Sequence, residues 1–141
     1  VTPLQIAQLT SVVANSGTLW QPQLVDKILD SDKNIIEDIE PKVINKDFID
    51  QKNLKAVGEG MRQAVTIGSA HFLSDLKVAV AGKTGTAQVG SDQPTHAWFT
   101  AFAPFDKPEI VITILVENAG EGSTIAVPLA KEIFRWYFDS H

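Results

Sequence analysis

Cysteine is absent from this chain of 141 residues, so a disulfide, a thiolate nucleophile and a cysteine-based metal site are all excluded. Long hydrophobic runs are also lacking, because the longest, residues 110–116, is far shorter than the roughly 18 residues that a membrane-spanning helix needs. Basic residues are outnumbered, with 12 Lys and Arg against 17 Asp and Glu. Binding to nucleic-acid phosphates requires a basic surface, so we expect no nucleic-acid partner.

What is present is typical of one folded unit with a real core, since 44% of the residues are hydrophobic and 21% are charged. The first helical pattern follows Thr2, Pro3 and Gln5, which form a capping box with proline at the first helical position. Residues 15–17, Asn-Ser-Gly, supply a stop for this helix. Residues 18–46 predict loops with short strands.

A second amphipathic helix is predicted to begin near Asp47 or Asp50 and to end before Gly68. Its apolar residues recur every three or four positions and are Leu54, Val57, Met61 and Val65.

The last third of the chain changes to the period of β-strands. Residues 78–88, 98–103 and 110–116 predict three strands, and the short turn at 104–108 makes the second and third an antiparallel hairpin. The third strand is so apolar that we expect it to be buried on both faces and central in the sheet. A closing helix that tolerates Pro128 in its first turn completes an α+β fold of antiparallel strands flanked by helices.

Residues 82–88, Gly-Lys-Thr-Gly-Thr-Ala-Gln, first suggest a phosphate-binding loop. That motif needs a glycine five positions before the Gly-Lys pair, and Lys77 stands there instead. Two readings remain from the residues alone. Lys83 and its threonines are either incidental on a surface strand, or they belong to a catalytic strand that presents Lys83, Thr84 and Thr86 to a cleft.

Four segments in the same order resemble the class B penicillin-binding proteins, most closely the elongation-type penicillin-binding protein 2. Residues 82–88 carry the Lys-Thr-Gly motif that these proteins share with serine β-lactamases. Residues 1–7, Val-Thr-Pro-Leu-Gln-Ile-Ala, precede it, and residues 97–104 and 116–120 follow it. The resemblance implies part of the penicillin-binding-protein and serine β-lactamase-like transpeptidase fold.

The resemblance also implies an activity, in which a serine attacks the D-Ala-D-Ala bond of a peptidoglycan stem peptide and β-lactams acylate the same serine. Lys83 and Thr86 are then the expected catalytic residues, Thr86 through its backbone N–H in the oxyanion hole. Lys83, Thr84, Gly85 and Thr86 are the expected substrate-binding residues, because an edge strand lets an extended peptide dock beside it. No cofactor and no metal are implied.

The nucleophile that this activity needs is not expected within the chain. Ser74 and Lys77 match a Ser-x-x-Lys pattern, but Lys77 leads directly toward the next strand and leaves no room for the helix that the pattern requires. No Ser-x-Asn sequence occurs. We therefore expect residues 1–141 to be the C-terminal portion of a transpeptidase domain that is inactive alone, with both motifs lying upstream of Val1.

The parent is expected at the outer face of the cytoplasmic membrane, anchored by an N-terminal segment absent from this chain. Its expected partners are the peptidoglycan stem peptide, β-lactam antibiotics and other cell-wall elongation proteins. Two alternatives stay open: a β-lactamase or D,D-carboxypeptidase, and a non-catalytic β-lactam sensor or peptidoglycan-binding module. His71, His96 and His141 lack the spacing of zinc ligands on a helix.

Overall fold

A computed structural model describes residues 1–88, 90 and 93–140 of the chain. The fold is α+β, as expected, and its elements are α1 (Pro3–Ala14), β1 (Leu19–Trp20), β2 (Lys27–Leu29), β3 (Ile35–Asp38), β4 (Val43–Asn45), α2 (Gln51–Thr66), a 3₁₀ turn (His71–Leu73), β5 (Ala81–Ala87), β6 (His96–Ala103), β7 (Ile110–Val116) and α3 (Ala126–Ser140). Among the residues described, no helix combines the length and apolar character needed to cross a membrane.

Helix α1 begins and ends where its local sequence predicts. The Gln5 N–H donates to Thr2 Oγ1 at 3.2 Å, and the Thr2 N–H donates to Gln5 Oε1 at 2.9 Å, which completes the capping box. At the other end Ser16 and Gly17 adopt φ of +62° and +111°, so the chain leaves the helix through left-handed backbone.

Helix α2 is confirmed, and three of its four regularly spaced apolar residues are buried in the core. Asp50 caps it by accepting from the Lys52 N–H at 2.7 Å. Leu54, Met61 and Val65 are buried, whereas the side chain of Val57 is 51% exposed. The apolar spacing marked the correct helical face, but that face extends past the packed core to the wall of an open cleft.

Strands β5, β6 and β7 form an antiparallel sheet in the order β5-β6-β7, so the predicted hairpin of the second and third strands is confirmed. The prediction that residues 110–116 form the central, doubly buried strand is wrong. The central strand is β6, and β7 is half-buried along its whole length. A run of β-branched residues indicates that both faces of a strand are packed, and here α1 and α3 pack on the two faces of β7. Such a run does not indicate how many strands pair with it.

The sheet is covered on both sides. Alternation along the strands sends one set of side chains to the face that packs on α3, here called the α3 face, where Phe99, Ala101 and Phe134 are fully buried or nearly so. The opposite α1 face carries Ala81 and Phe102, which pack with Met61 of α2 and with residues of α1. Strand β5 lies at the sheet's edge, and α2 packs against it.

Residues 18–46 form two small two-stranded sheets, β1 with β4 and β2 with β3, as the loop-with-short-strands prediction anticipated. Nearly all of their side chains are exposed, so this excursion contributes little to the main core. Helix α3 accommodates Pro128 in its first turn, where a backbone N–H has no partner within the helix.

Candidate active site

The Lys-Thr-Gly residues lie on β5, which pairs with β6 and, in the part of the chain that the structure describes, with no other strand. The edge-strand prediction is thereby confirmed. Gly82 is needed because a Cβ there would lie 2.5 Å from the Phe99 ring, which occupies that space. Gly85 lies against Trp98, whose Cβ would be 3.1 Å from an added Cβ. The two glycines let the aromatic residues of β6 pack closely against this strand.

The strand's alternation separates the lysine from the threonines. Lys83 is paired with Thr100 and projects on the α1 face, whereas Thr84 is paired with Phe99 and projects on the α3 face. Lys83 then bends back to the strand, since its Nζ donates to the Thr84 carbonyl oxygen. A positive charge and a hydroxyl group thus approach the same strand edge from opposite faces of the sheet.

A cleft of about 800 Å³ opens on the α1 face beside this edge. Its walls come from α1, α2, β5 and β6, and they are mostly apolar: Ile6, Leu9, Val13, Leu54, Val57, Met61 and Trp98 among others. Lys83, Thr84 and Gly85 line it, and among the described lining residues Lys83 alone has a charged side chain. Thr86 is exposed farther along β5 and does not line the cleft. The structure therefore brings three of the four expected site residues to the cleft.

The turn that follows β7 packs against the backbone of β5. A Cβ on Gly122 would lie 2.5 Å from the Gly85 carbonyl oxygen and 2.2 Å from that of Trp98, so this turn touches the strand backbone directly. The Gly120 N–H donates to the Thr95 carbonyl at 2.9 Å, and Thr95 Oγ1 donates to the Gly120 carbonyl at 2.8 Å. The turn is therefore tied to the start of β6 while it supports β5 at Gly85.

A serine that no sequence motif indicated also contacts the strand. Ser69, in the turn after α2, places its Oγ 2.7 Å from Thr84 Oγ1. Fifteen residues and a change of element separate the two positions, so only the tertiary structure brings them together. The glycine and alanine that flank Ser69 give it no recognisable motif.

The segment that carries Ser69 is joined to α3 by a largely buried cation. The Lys131 side chain is 5% exposed, donates to Asp75 at 2.7 Å and lies 3.9 Å from the centre of the Phe72 ring. The hydrogen bond from Lys131 holds the pKa of the Asp75 carboxyl below its usual range, although burial acts in the opposite direction. Residues 71–77 are thereby held against the helix.

The remaining candidates have structural partners. Ser74 is exposed at the end of the 3₁₀ turn, and the Lys77 ammonium is bonded to Asp139 at 2.9 Å rather than to Ser74. His71 Nδ1 lies 2.7 Å from the Thr66 carbonyl, and His96 Nδ1 accepts from the Asn118 N–H at 2.9 Å. His141 lies outside the described residues, within which no cluster of three potential metal ligands occurs.

The residues at this cleft agree with the family to which the whole sequence is similar. Residues 1–135 match the penicillin binding protein transpeptidase domain. The chain belongs to that family. Peptidoglycan D,D-transpeptidase MrdA of Haemophilus influenzae is 34% identical and covers 98% of this chain, which in turn covers 24% of that protein. Penicillin-binding protein 2A of Bacillus subtilis is 31% identical, with 98% of this chain and 22% of that protein covered.

Solved penicillin-binding proteins share the fold. Penicillin-binding protein 2 of Pseudomonas aeruginosa, in complex with WCK 5153, superposes with a TM-score of 0.80 at 33% identity, covering 97% of this chain and 30% of that one. Penicillin-binding protein A of M. tuberculosis, as an imipenem acyl-enzyme, gives 0.86 at 28% identity, covering 98% of this chain and 31% of that one. The resemblance to class B, penicillin-binding protein 2-type transpeptidases is confirmed, and the chain spans less than a third of these relatives.

Proposed function

We propose that this chain forms one wall of the active site of a serine-type peptidoglycan D,D-transpeptidase, with residues 1–141 as the C-terminal portion of its transpeptidase domain. The observation that carries the proposal is Lys83, Thr84 and Gly85 on an edge strand beside an apolar cleft. The same residue types on a buried strand could not meet a peptide.

Strand β5 supplies substrate binding in this proposal. An extended stem peptide docks along the strand edge through main-chain hydrogen bonds, and Gly85 leaves room for that approach. Lys83 provides a positive charge from the α1 face, while Thr84 and Thr86 provide hydroxyl groups for the substrate's terminal carboxylate. The Thr86 N–H donates to the oxyanion that develops on the D-Ala carbonyl, and each such donor contributes about 3 kcal/mol in comparable acyl transfers.

The chemistry itself begins on a serine outside this chain. That hydroxyl attacks the carbonyl of the D-Ala-D-Ala bond, and the terminal D-Ala leaves. An amine of a neighbouring peptidoglycan strand then takes the acyl group from the serine. The upstream half that carries the serine covers the cleft. Leu9 and Val57, which line the cleft, are 59% and 51% exposed, and burying such aliphatic side chains favours association of the two halves.

The partners and location follow from the same proposal. Penicillin-binding protein A of M. tuberculosis forms acyl-enzymes with imipenem and ceftriaxone, so β-lactams are proposed ligands of the intact parent. Its substrate is the peptidoglycan stem peptide, and its other partners are proteins of cell-wall elongation. This places the parent at the outer face of the cytoplasmic membrane, held there by an N-terminal anchor.

A fluorescent penicillin tests the proposal. The full-length parent is expected to be labelled covalently, whereas residues 1–141 alone are expected to stay unlabelled because the serine is missing. Mixing residues 1–141 with the separately produced upstream half should restore labelling. Stable labelling of residues 1–141 alone would show that a nucleophile lies within the chain, and an unlabelled parent would contradict the proposed function.

The same preparation separates the alternatives. A transpeptidase transfers the acyl group to an amine acceptor, whereas a β-lactamase or D,D-carboxypeptidase transfers it to water. A sensor or binding module is labelled or binds peptidoglycan without releasing D-Ala. Release of D-Ala from a stem peptide, with and without an added amine acceptor, together with hydrolysis of the penicillin, therefore distinguishes all three.

A further inference from the structure

Ser69 lies outside the four segments that carry the family resemblance in the sequence, yet its hydroxyl contacts the Lys-Thr-Gly strand. Its Oγ is 2.7 Å from Thr84 Oγ1, a distance typical of a well-formed O–H···O hydrogen bond. Thr84 is half-buried, and its side chain projects on the α3 face at the edge of β5, along which substrate is proposed to dock. The Thr84 hydroxyl group can therefore bond to Ser69 and to a group that docks along that edge.

Ser69 stands on a firmly held turn. The Ala70 N–H donates to the Ala64 carbonyl of α2 at 2.9 Å, and Ala70 itself is fully buried. The next residue, His71, holds the Thr66 carbonyl through its ring at 2.7 Å. Because the turn is bonded to α2 on one side and to α3 through the Asp75 ion pair on the other, its serine is held at a fixed distance from β5.

The direction of the hydrogen bond follows from counting protons. A hydroxyl group has one proton and two lone pairs, and a carboxylate only accepts. If Thr84 donates to Ser69, it keeps no proton for a bound carboxylate. If Ser69 donates to Thr84, the Thr84 proton stays available, and the first hydrogen bond strengthens the second by polarisation.

We propose that Ser69 is a positioning residue, which donates to Thr84 Oγ1 and thereby aims the Thr84 hydroxyl proton at the terminal carboxylate of the substrate or β-lactam. The role deepens the proposed function and rests on it. Ser69 itself does not touch the carboxylate. Removal of its hydroxyl group leaves Thr84 free to rotate, so the loss falls on ligands that carry a carboxylate.

The test uses the full-length parent and the second-order rate constant of acylation by a penicillin and by its methyl ester. Ser69→Ala is expected to slow acylation by the free acid about tenfold, the scale of one lost hydrogen bond. The slower reaction with the ester should hardly change, since the ester has no carboxylate to position. Ser69→Thr, which keeps the hydroxyl group, should restore most of the rate.

A double-mutant cycle and a matched control complete the test. In a Thr84→Val background, adding Ser69→Ala should have little further effect, because the group through which Ser69 acts is gone. Ser74→Ala removes an exposed serine five positions away and should match the wild type. An unchanged rate for Ser69→Ala, an equal loss with acid and ester, or additive losses in the cycle would each overturn the role. A wild-type parent that penicillin does not acylate would overturn the proposed function, and the role with it.

Discussion

The Lys83 ammonium lies at the edge of β5, where it donates to the Thr84 carbonyl, and its side chain is exposed to solvent. In the proposed function, the substrate and the upstream half of the parent share that edge. Among the described residues Lys83 donates to the Thr84 carbonyl alone, so it has donors left for both, because an ammonium group has three. In the proposed function, this residue therefore connects the strand to the surroundings of the nucleophile.

Lys83→Ala in the full-length parent should reduce the penicillin acylation rate by about two orders of magnitude, the scale of a preorganised charge or donor at a developing oxyanion. Thr86→Ser, which keeps both the hydroxyl group and the backbone N–H, should cost far less. Lys77→Ala is the matched control, because Lys77 is an exposed lysine that bonds Asp139 instead. Equal rates for Lys83→Ala and wild type would contradict the assignment.

For individual site residues, the sequence predicted those within the Lys-Thr-Gly motif and none that reach it from elsewhere in the chain. Lys83, Thr84 and Gly85 were predicted at the cleft because their order is characteristic, and they line it. Ser69 was not predicted, because its contact with Thr84 depends on how the turn after α2 returns to the sheet. A lone serine between small residues carries no signal for such a contact.

For helices and strands too, features that depend on nearby residues were predictable, whereas features that depend on distant residues were not. The capping box of α1 was predictable because all of its hydrogen bonds lie within four residues. The antiparallel pairing of β6 and β7 was predictable because a short turn joins them. The strand order β5-β6-β7 was not predictable, because the apolar character of β7 reflects the helices on its two faces and not its neighbours in the sheet. A strand pattern therefore predicts burial more reliably than position.

Two glycines with opposite surroundings test how tightly β5 is packed. Gly82→Ala places a Cβ 2.5 Å from the Phe99 ring, and we expect a loss of about 1–3 kcal/mol in the free energy of unfolding from this overpacking. Gly60→Ala meets nothing within 4 Å, and it should stabilise α2 by about 0.5–1 kcal/mol, because alanine favours the helix more than glycine does. Urea unfolding of each variant measures both effects.

The contrast between the two substitutions is the decisive result. A Gly82→Ala variant as stable as the wild type would mean that Phe99 can move aside and that the strand is not tightly packed against β6. A destabilised Gly60→Ala variant would mean that the surface of α2 beside the cleft is not open in this chain.

The molecule as a whole combines a well-packed sheet with an open apolar side. The core on the α3 face is complete, with Phe134, Val127 and Phe99 buried almost entirely. The α1 face is interrupted by the cleft, whose lining includes aliphatic side chains that are half exposed. Edge strands and open apolar surface both favour association with further polypeptide, so residues 1–141 alone should be prone to self-association.

Dye binding locates that open side. Residues 1–141 alone should enhance the fluorescence of 8-anilinonaphthalene-1-sulfonate, and Leu9→Gln with Val57→Gln should reduce the enhancement because both side chains line the cleft. Leu24→Gln is the control, since Leu24 is a fully exposed leucine of the 18–46 excursion that does not line it. A loss of dye binding with Leu24→Gln but not with the cleft variants would place the open apolar surface on the excursion instead. In the parent, the upstream half should cover the cleft and abolish the part of the fluorescence enhancement that depends on Leu9 and Val57. That loss would show that the upstream half packs on the exposed apolar surface.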